Sequence, residues 1–161
     1  MVDRRITGHV KAMLDLHARI ISRRVVCIDS NFYFREFVCW FLSDVGCEVK
    51  GVATAKEGLS LIREEPAGYD ILIIADWLPD MDGVELLQRP RSMPYAGRIA
   101  MTAPQLSPEQ RAIYESLGAS SILITPLGYS ELMRVLEAGV AGGGENGHRR
   151  GHAAQALPSL T

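Results

Sequence analysis

The sequence predicts an α/β chain built as a doubly wound parallel sheet, preceded by an extra amphipathic helix and followed by a polar tail. Three observations carry this. Short runs that are apolar at nearly every residue recur between segments of helical period, as strands buried on both faces require. One run, residues 47–52 (CEVKGV), alternates instead, as a strand at a sheet edge does. Helix starts and stops fall between the runs, giving five strand–helix units.

Each element follows from its residues. Residues 6–21 place Ile6, Val10, Met13, Leu14, Ile20 and Ile21 mostly three and four apart, with His17 on the same stripe, so they form an amphipathic helix. Residues 25–28 are the first strand. Residues 32–45 follow a helical pattern and stop at Gly46, a residue suited to the left-handed position after a helix. Phe37, Val38, Phe41 and Leu42 are expected to face the sheet, with Phe34 and Trp40 outside that stripe. After the alternating strand, Thr54 and Glu57 make a capping box that opens a helix to about residue 65. Residues 71–75 are the third strand. A short helix follows Asp82 and is expected to end near Pro90, which has no backbone N–H to donate. Residues 99–101 are the fourth strand. Ser107, Pro108 and Gln110 form the next helix start, and Gly118 ends that helix. Residues 122–124 are the fifth strand and 129–138 the fifth helix. The alternating second strand at an edge suits the order 2-1-3-4-5. Organisation is therefore an N-terminal helix over 1–22, one α/β domain over 23–140 and a disordered tail over 141–161, where AGGGENG is poor in large apolar groups.

Composition narrows the function. The 161 residues are 47% apolar and 22% charged, in the range of soluble globular domains. A net charge of −2 gives no global basic field for nucleic acid. No stretch approaches the ~20 apolar residues of a membrane span, and no signal-peptide core follows the charged N-terminus, so a cytoplasmic protein is expected. Cys27, Cys39 and Cys47 are odd in number and lack metal-ligand spacing, so they read as reduced thiols.

Several motifs agree in register with one family. Tyr69-Asp70, the segment LPDMDG over 78–83, Thr102-Ala103 and Pro126 closely resemble landmarks of the response-regulator receiver domain, and the similarity spans about residues 23–140. The resemblance implies a flavodoxin-like (βα)5 fold and a site of four parts. Two acids after strand one hold a divalent cation. An Asp after strand three is both ligand and phosphoryl acceptor. A Thr or Ser after strand four and a Lys after strand five steady the transferred group. The cation and Lys are needed because an attacking carboxylate and a phosphate repel each other.

At these positions the chain carries Asp29-Ser30, Ala75, Thr102 and Thr125. Only Asp29 and Thr102 match. Counting five from Asp70 and counting back four from Pro79 both give Ala75 for the acceptor. The family's aromatic switch position is Ile122. Asp76 is the nearest substitute acceptor, and Asp76-Trp77 resembles the "DW" of some receivers, but a one-residue slip on a strand turns a side chain to the other face. Asp29 and Asp76 could hold Mg²⁺ weakly, having few oxygen ligands; otherwise no metal or cofactor is expected. Ala75 is either native or an engineered block in a working regulator; the separate losses of the Lys and of one acid favour the native reading.

The expected function is a stand-alone pseudo-receiver signalling protein that acts by phosphorylation-independent protein–protein contact, not an enzyme. The alternative is a phosphorylatable two-component response regulator with its acceptor at Asp76 or removed at position 75. A small-molecule sensor using the vacated pocket of Asp29, Ser30, Ala75, Thr102 and Thr125 is a third reading. Partners of the resemblance are a histidine kinase or regulator, with a possible homodimer through the N-terminal helix, and no nucleic acid or membrane. Ile122, His17 and Trp40 are the candidate contact residues.

Overall fold

Five short apolar runs assemble into one parallel sheet because only helices on both sides can bury them. The strands are β1 (Arg24–Ile28), β2 (Glu48–Val52), β3 (Ile71–Ala75), β4 (Arg98–Ala103) and β5 (Ser121–Ile124). Their order in this computed structural model is β2-β1-β3-β4-β5. The structure describes residues 10–15, 17–18 and 22–138. Of the expected N-terminal helix, residues 10–15 and 17–18 are helical and exposed. The expected tail over 141–161 lies outside the described residues.

All five residues of β3 are buried, and β4 is buried after its first residue. The alternating β2 pairs only with β1 and stays exposed or half-buried, as an edge strand does. Ile28 pairs with Val52 on one side and Ile74 on the other, and Ala75 pairs with Thr102. That register brings the ends of β1, β3 and β4 level, so Asp29 and Asp76 leave the sheet along one edge.

Helices α1 (Phe32–Asp44), α2 (Ala55–Glu64), α3 (Gly83–Arg91), α4 (Pro108–Ser116) and α5 (Tyr129–Glu137) cover the two faces. Strand periodicity divides the core accordingly. Val26, Ile28, Leu72, Ile74, Ile99 and Met101 pack with buried residues of α2, α3 and α4. Val25, Cys27, Ile71, Ile73 and Ala100 pack with α1 and α5. The capping boxes at Thr54 and Ser107 form with both reciprocal bonds, and Pro108 occupies the first turn of α4. Gly46 and Gly118 follow α1 and α4 at φ 97° and 93°, the left-handed conformation that glycine enters without a Cβ clash.

Helix α3 ends at Arg91, within one residue of the expected Pro90. The proline falls in the last turn, where it costs one ladder bond, and Ser92 and Met93 then donate to the carbonyls of Arg89 and Pro90. One expectation changes: on α1, Phe34 is half-buried against the core, whereas Phe37 is 37% exposed. The buried stripe runs 34-38-41, three and four apart, and Phe37 stacks on Phe41 from the rim with ring centroids 6.2 Å apart.

Candidate functional site at the carboxyl edge of the sheet

The strand ends and the loops after them form an open cleft of about 480 Å³. Asp29 enters it because β1 keeps one more ladder bond, from the Asp29 N–H to Val52 O at 3.1 Å, before the chain turns. Asp29 Oδ1 then accepts the Asn31 N–H at 2.7 Å, and Arg35 Nη1 donates to the Asp29 carbonyl at 2.7 Å. Asn31 is the N-cap of α1, its side-chain oxygen accepting the Phe34 N–H at 3.1 Å. The turn is thus fixed at both ends.

Ala75 is the last residue of β3 and 7% exposed. The Asp76 N–H donates to Thr102 O at 2.8 Å, and the Asp76 carbonyl accepts the Gly83 N–H at 2.9 Å. A Cβ on Gly83 would lie 2.4 Å from that carbonyl, so the loop over 76–83 closes only with glycine at its end. Buried Leu78 anchors the loop from below. Thr102 is buried, and its hydroxyl donates to Ile74 O at 3.5 Å. Thr125 precedes a cis Pro126, and its N–H donates to Ala103 O at 2.9 Å.

The fold therefore brings Asp29, Ala75, Asp76, Thr102 and Thr125 to one cleft, together with Asn31, Phe34 and Trp77, which sequence reasoning had not placed there. Ser30 is the exception. It is exposed and lies outside the lining, because the turn that lets Asp29 bond Asn31 carries Ser30 over the outside of the bend. The role of Asn31, as cap of α1 and as part of the cleft, emerges only in the structure. Ile122 is half-buried and packs against the α2–α3–α4 core. His17 and Trp40 lie outside the cleft lining, and Trp40 is 66% exposed.

Among the described residues no lysine or arginine lines the cleft. Burial pushes the Asp29 carboxyl up from its ordinary pKa; the Asn31 N–H and the Arg35 charge oppose the shift, and the Asp76 charge adds to it. Burial likewise raises Asp76, against N–H bonds from Trp77 and from its own backbone and with a push from Asp82. Two carboxylates share a basin with two threonine hydroxyls, while a methyl group occupies the end of β3. Among the described residues no three His, Cys, Asp or Glu side chains converge in a way that would hold a metal ion.

A five-stranded parallel sheet in this order, with a cleft at the strand ends holding two aspartates and two threonines, is an architecture that receiver domains share. The chain belongs to the response regulator receiver domain family, whose pattern matches residues 25–137. It carries the receiver fold of two-component signalling. The transcriptional regulatory protein HprR of Escherichia coli is 30% identical over 115 residues, covering 71% of this chain and 50% of that protein. An uncharacterized 14.6 kDa protein of Leptolyngbya boryana is 32% identical over 117 residues, 70% of this chain and 86% of its own length. A hybrid signal transduction histidine kinase of Dictyostelium discoideum is 25% identical over 145 residues, and this chain spans 8% of it. This chain thus spans half or less of two of these relatives. Among solved structures, the Vibrio cholerae chemotaxis protein CheY4 aligns with a TM-score of 0.67 at 26% identity, over 73% of this chain and 98% of that one. A two-component response regulator of Clostridium difficile gives 0.70 at 19% identity, over 75% of this chain and 98% of its own, which speaks to the fold alone.

Proposed function

We propose that this receiver domain is a pseudo-receiver: it signals by binding another protein, without a phosphoryl group at position 75. The observation that carries this is Ala75, level with Thr102 at the end of β3, in a cleft that no basic side chain lines among the described residues. A methyl group is no nucleophile, and Thr125 supplies no charge to balance an incoming phosphate. Asp29 and Asp76 are the carboxylates that would hold Mg²⁺, and two such ligands would hold it only weakly. The domain catalyses no turnover of its own.

Output then runs through surface contact. Phe32, Tyr33, Trp40 and Tyr129 are exposed large side chains on or beside α1 and α5, and they form the docking face for a histidine kinase or regulator. Val10, Met13 and Leu14 present a second exposed apolar stripe, which pairs two copies of the chain, with His17 at its end.

One observation favours a second reading, in which Asp76 is the acceptor: it lines the cleft and interacts electrostatically with Asp29. Intact-mass measurement after incubation with acetyl phosphate and Mg²⁺ separates the two. The pseudo-receiver gives no phosphoryl adduct while an ordinary receiver in the same tube does. An adduct that vanishes in Asp76→Ala establishes the second reading and removes the first.

A further inference from the structure

The opposite edge of the sheet carries a second cleft, of about 390 Å³, that the receiver chemistry does not use. Arg23 precedes β1, Asp70 precedes β3 and Arg98 opens β4, so the parallel register sets these charges side by side at the amino ends of the strands. The walls are the loops around Pro66 and Pro94. Asp70 is largely engaged: its Oδ2 accepts the Arg24 N–H at 2.8 Å, and its Oδ1 meets Arg23 Nη1 only at 3.4 Å. Arg23 Nε is buried and has no hydrogen-bond partner among the described residues. A buried donor left unpaired costs the desolvation of that group, about 1–3 kcal/mol. Arg98 donates through Nη2 to Val135 O at 2.6 Å, at the carboxyl end of α5. Burial and then the neighbouring Arg23 charge lower the Arg98 pKa, so the two guanidinium groups lie close enough to repel. Two arginines and one aspartate leave a single positive charge lining a cleft with partly apolar walls.

We propose that this basal cleft binds a small organic oxyanion, a carboxylate or phosphate monoester, between Arg23 and Arg98. The guanidinium fork matches either anion with parallel N–H···O bonds. Its apolar remainder lies along Pro66 and Pro94. Because Arg98 also bonds the Val135 carbonyl of α5, occupancy is felt at the carboxyl end of that helix. The site stands independently of whether position 75 or 76 takes a phosphoryl group.

The test is an amide NMR titration of the full chain with inorganic phosphate and, separately, acetate, at ionic strength held constant with chloride. Saturable shifts are expected at Gly68, Asp70 and Gly97. Arg23→Gln weakens binding about tenfold or more, as loss of one charge-assisted bond does. Asp70→Asn tightens it, since the carboxylate that competes for Arg23 is gone while an oxygen remains for the Arg24 N–H. The second variant keeps the test decisive if the first folds poorly. Absence of saturable shifts, shifts confined to Asp76 and Thr102, or tighter binding failing to appear in Asp70→Asn overturns the proposal.

Discussion

Replacing Gly58 with alanine sets two known magnitudes against each other. Gly58 lies inside α2 and is buried. Alanine in a helix interior is favoured over glycine by about 1 kcal/mol, so propensity alone predicts a more stable protein. The added Cβ, however, would lie 2.2 Å from Ile28 Cδ1 and 2.8 Å from Ile28 Cγ1. Ile28 is fully buried in the sheet beneath and has no solvent to yield into. Overpacking of this kind costs about 1–3 kcal/mol, and a contact more than an ångström too short belongs at the upper end. The net expectation is a loss of about 1–2 kcal/mol in Gly58→Ala. Ile28→Val alone costs about 0.5–1.5 kcal/mol for the lost methyl. The double variant seats the alanine methyl in the space left by Cδ1, so the two changes couple favourably. Urea unfolding followed by circular dichroism measures all three, with m unchanged as the condition for reading the midpoints as stability. A Gly58→Ala protein more stable than the parent, or a double variant whose losses simply add, refutes the packing of α2 on β1 described above.

Other expectations are simpler to state. Asp80 reaches from the loop after β3 to accept the N–H groups of Ala55 and Lys56 at 3.0 and 2.9 Å, capping α2 from 25 residues away. Asp80→Ala should cost about 1 kcal/mol and speed amide exchange in the first turn of α2. Some burial opposes it, but the bonds from Lys56 and Ala55 hold the Asp80 carboxyl below its ordinary range. Its contribution is therefore present above the unfolded pKa and lost as pH falls through the folded one. Asp29 and Asp76 behave oppositely: their raised pKa values mean that the folded state holds their protons more tightly, so stability falls as pH rises through those values. Asp76→Asn should accordingly raise Tm at neutral pH and have little effect at strongly acid pH; a uniform shift at both would count against the electrostatic account. Ser107→Ala, which removes the acceptor of the Gln110 N–H bond, should lower stability by about 1 kcal/mol, read from the urea midpoint.

Local chemistry was legible in the sequence because it is local. A capping box needs four consecutive residues, so Thr54-Glu57 and Ser107-Gln110 announced α2 and α4 without knowledge of the fold. The run 71–75 implied a strand covered on both faces, and the alternating 47–52 an edge. The counts from Asp70 and Pro79 both fall on Ala75, and the structure makes Ala75 the last residue of β3, paired with Thr102.

What depended on distant parts of the chain was decided only in three dimensions. Ser30 and Asn31 are neighbours in sequence, yet the turn after β1 sends one outward and the other into the cleft. Phe34 and Phe37 exchanged their expected roles because the α1 stripe is set by the positions of β1 and α5 rather than by hydrophobicity. Asp80 capping α2 and the meeting of Arg23, Asp70 and Arg98 at the base have no signature in spacing. The sequence by itself determined which elements form and what chemistry position 75 lacks. The tertiary structure alone decided which side chains share a cleft, since parallel register aligns strand ends that lie tens of residues apart.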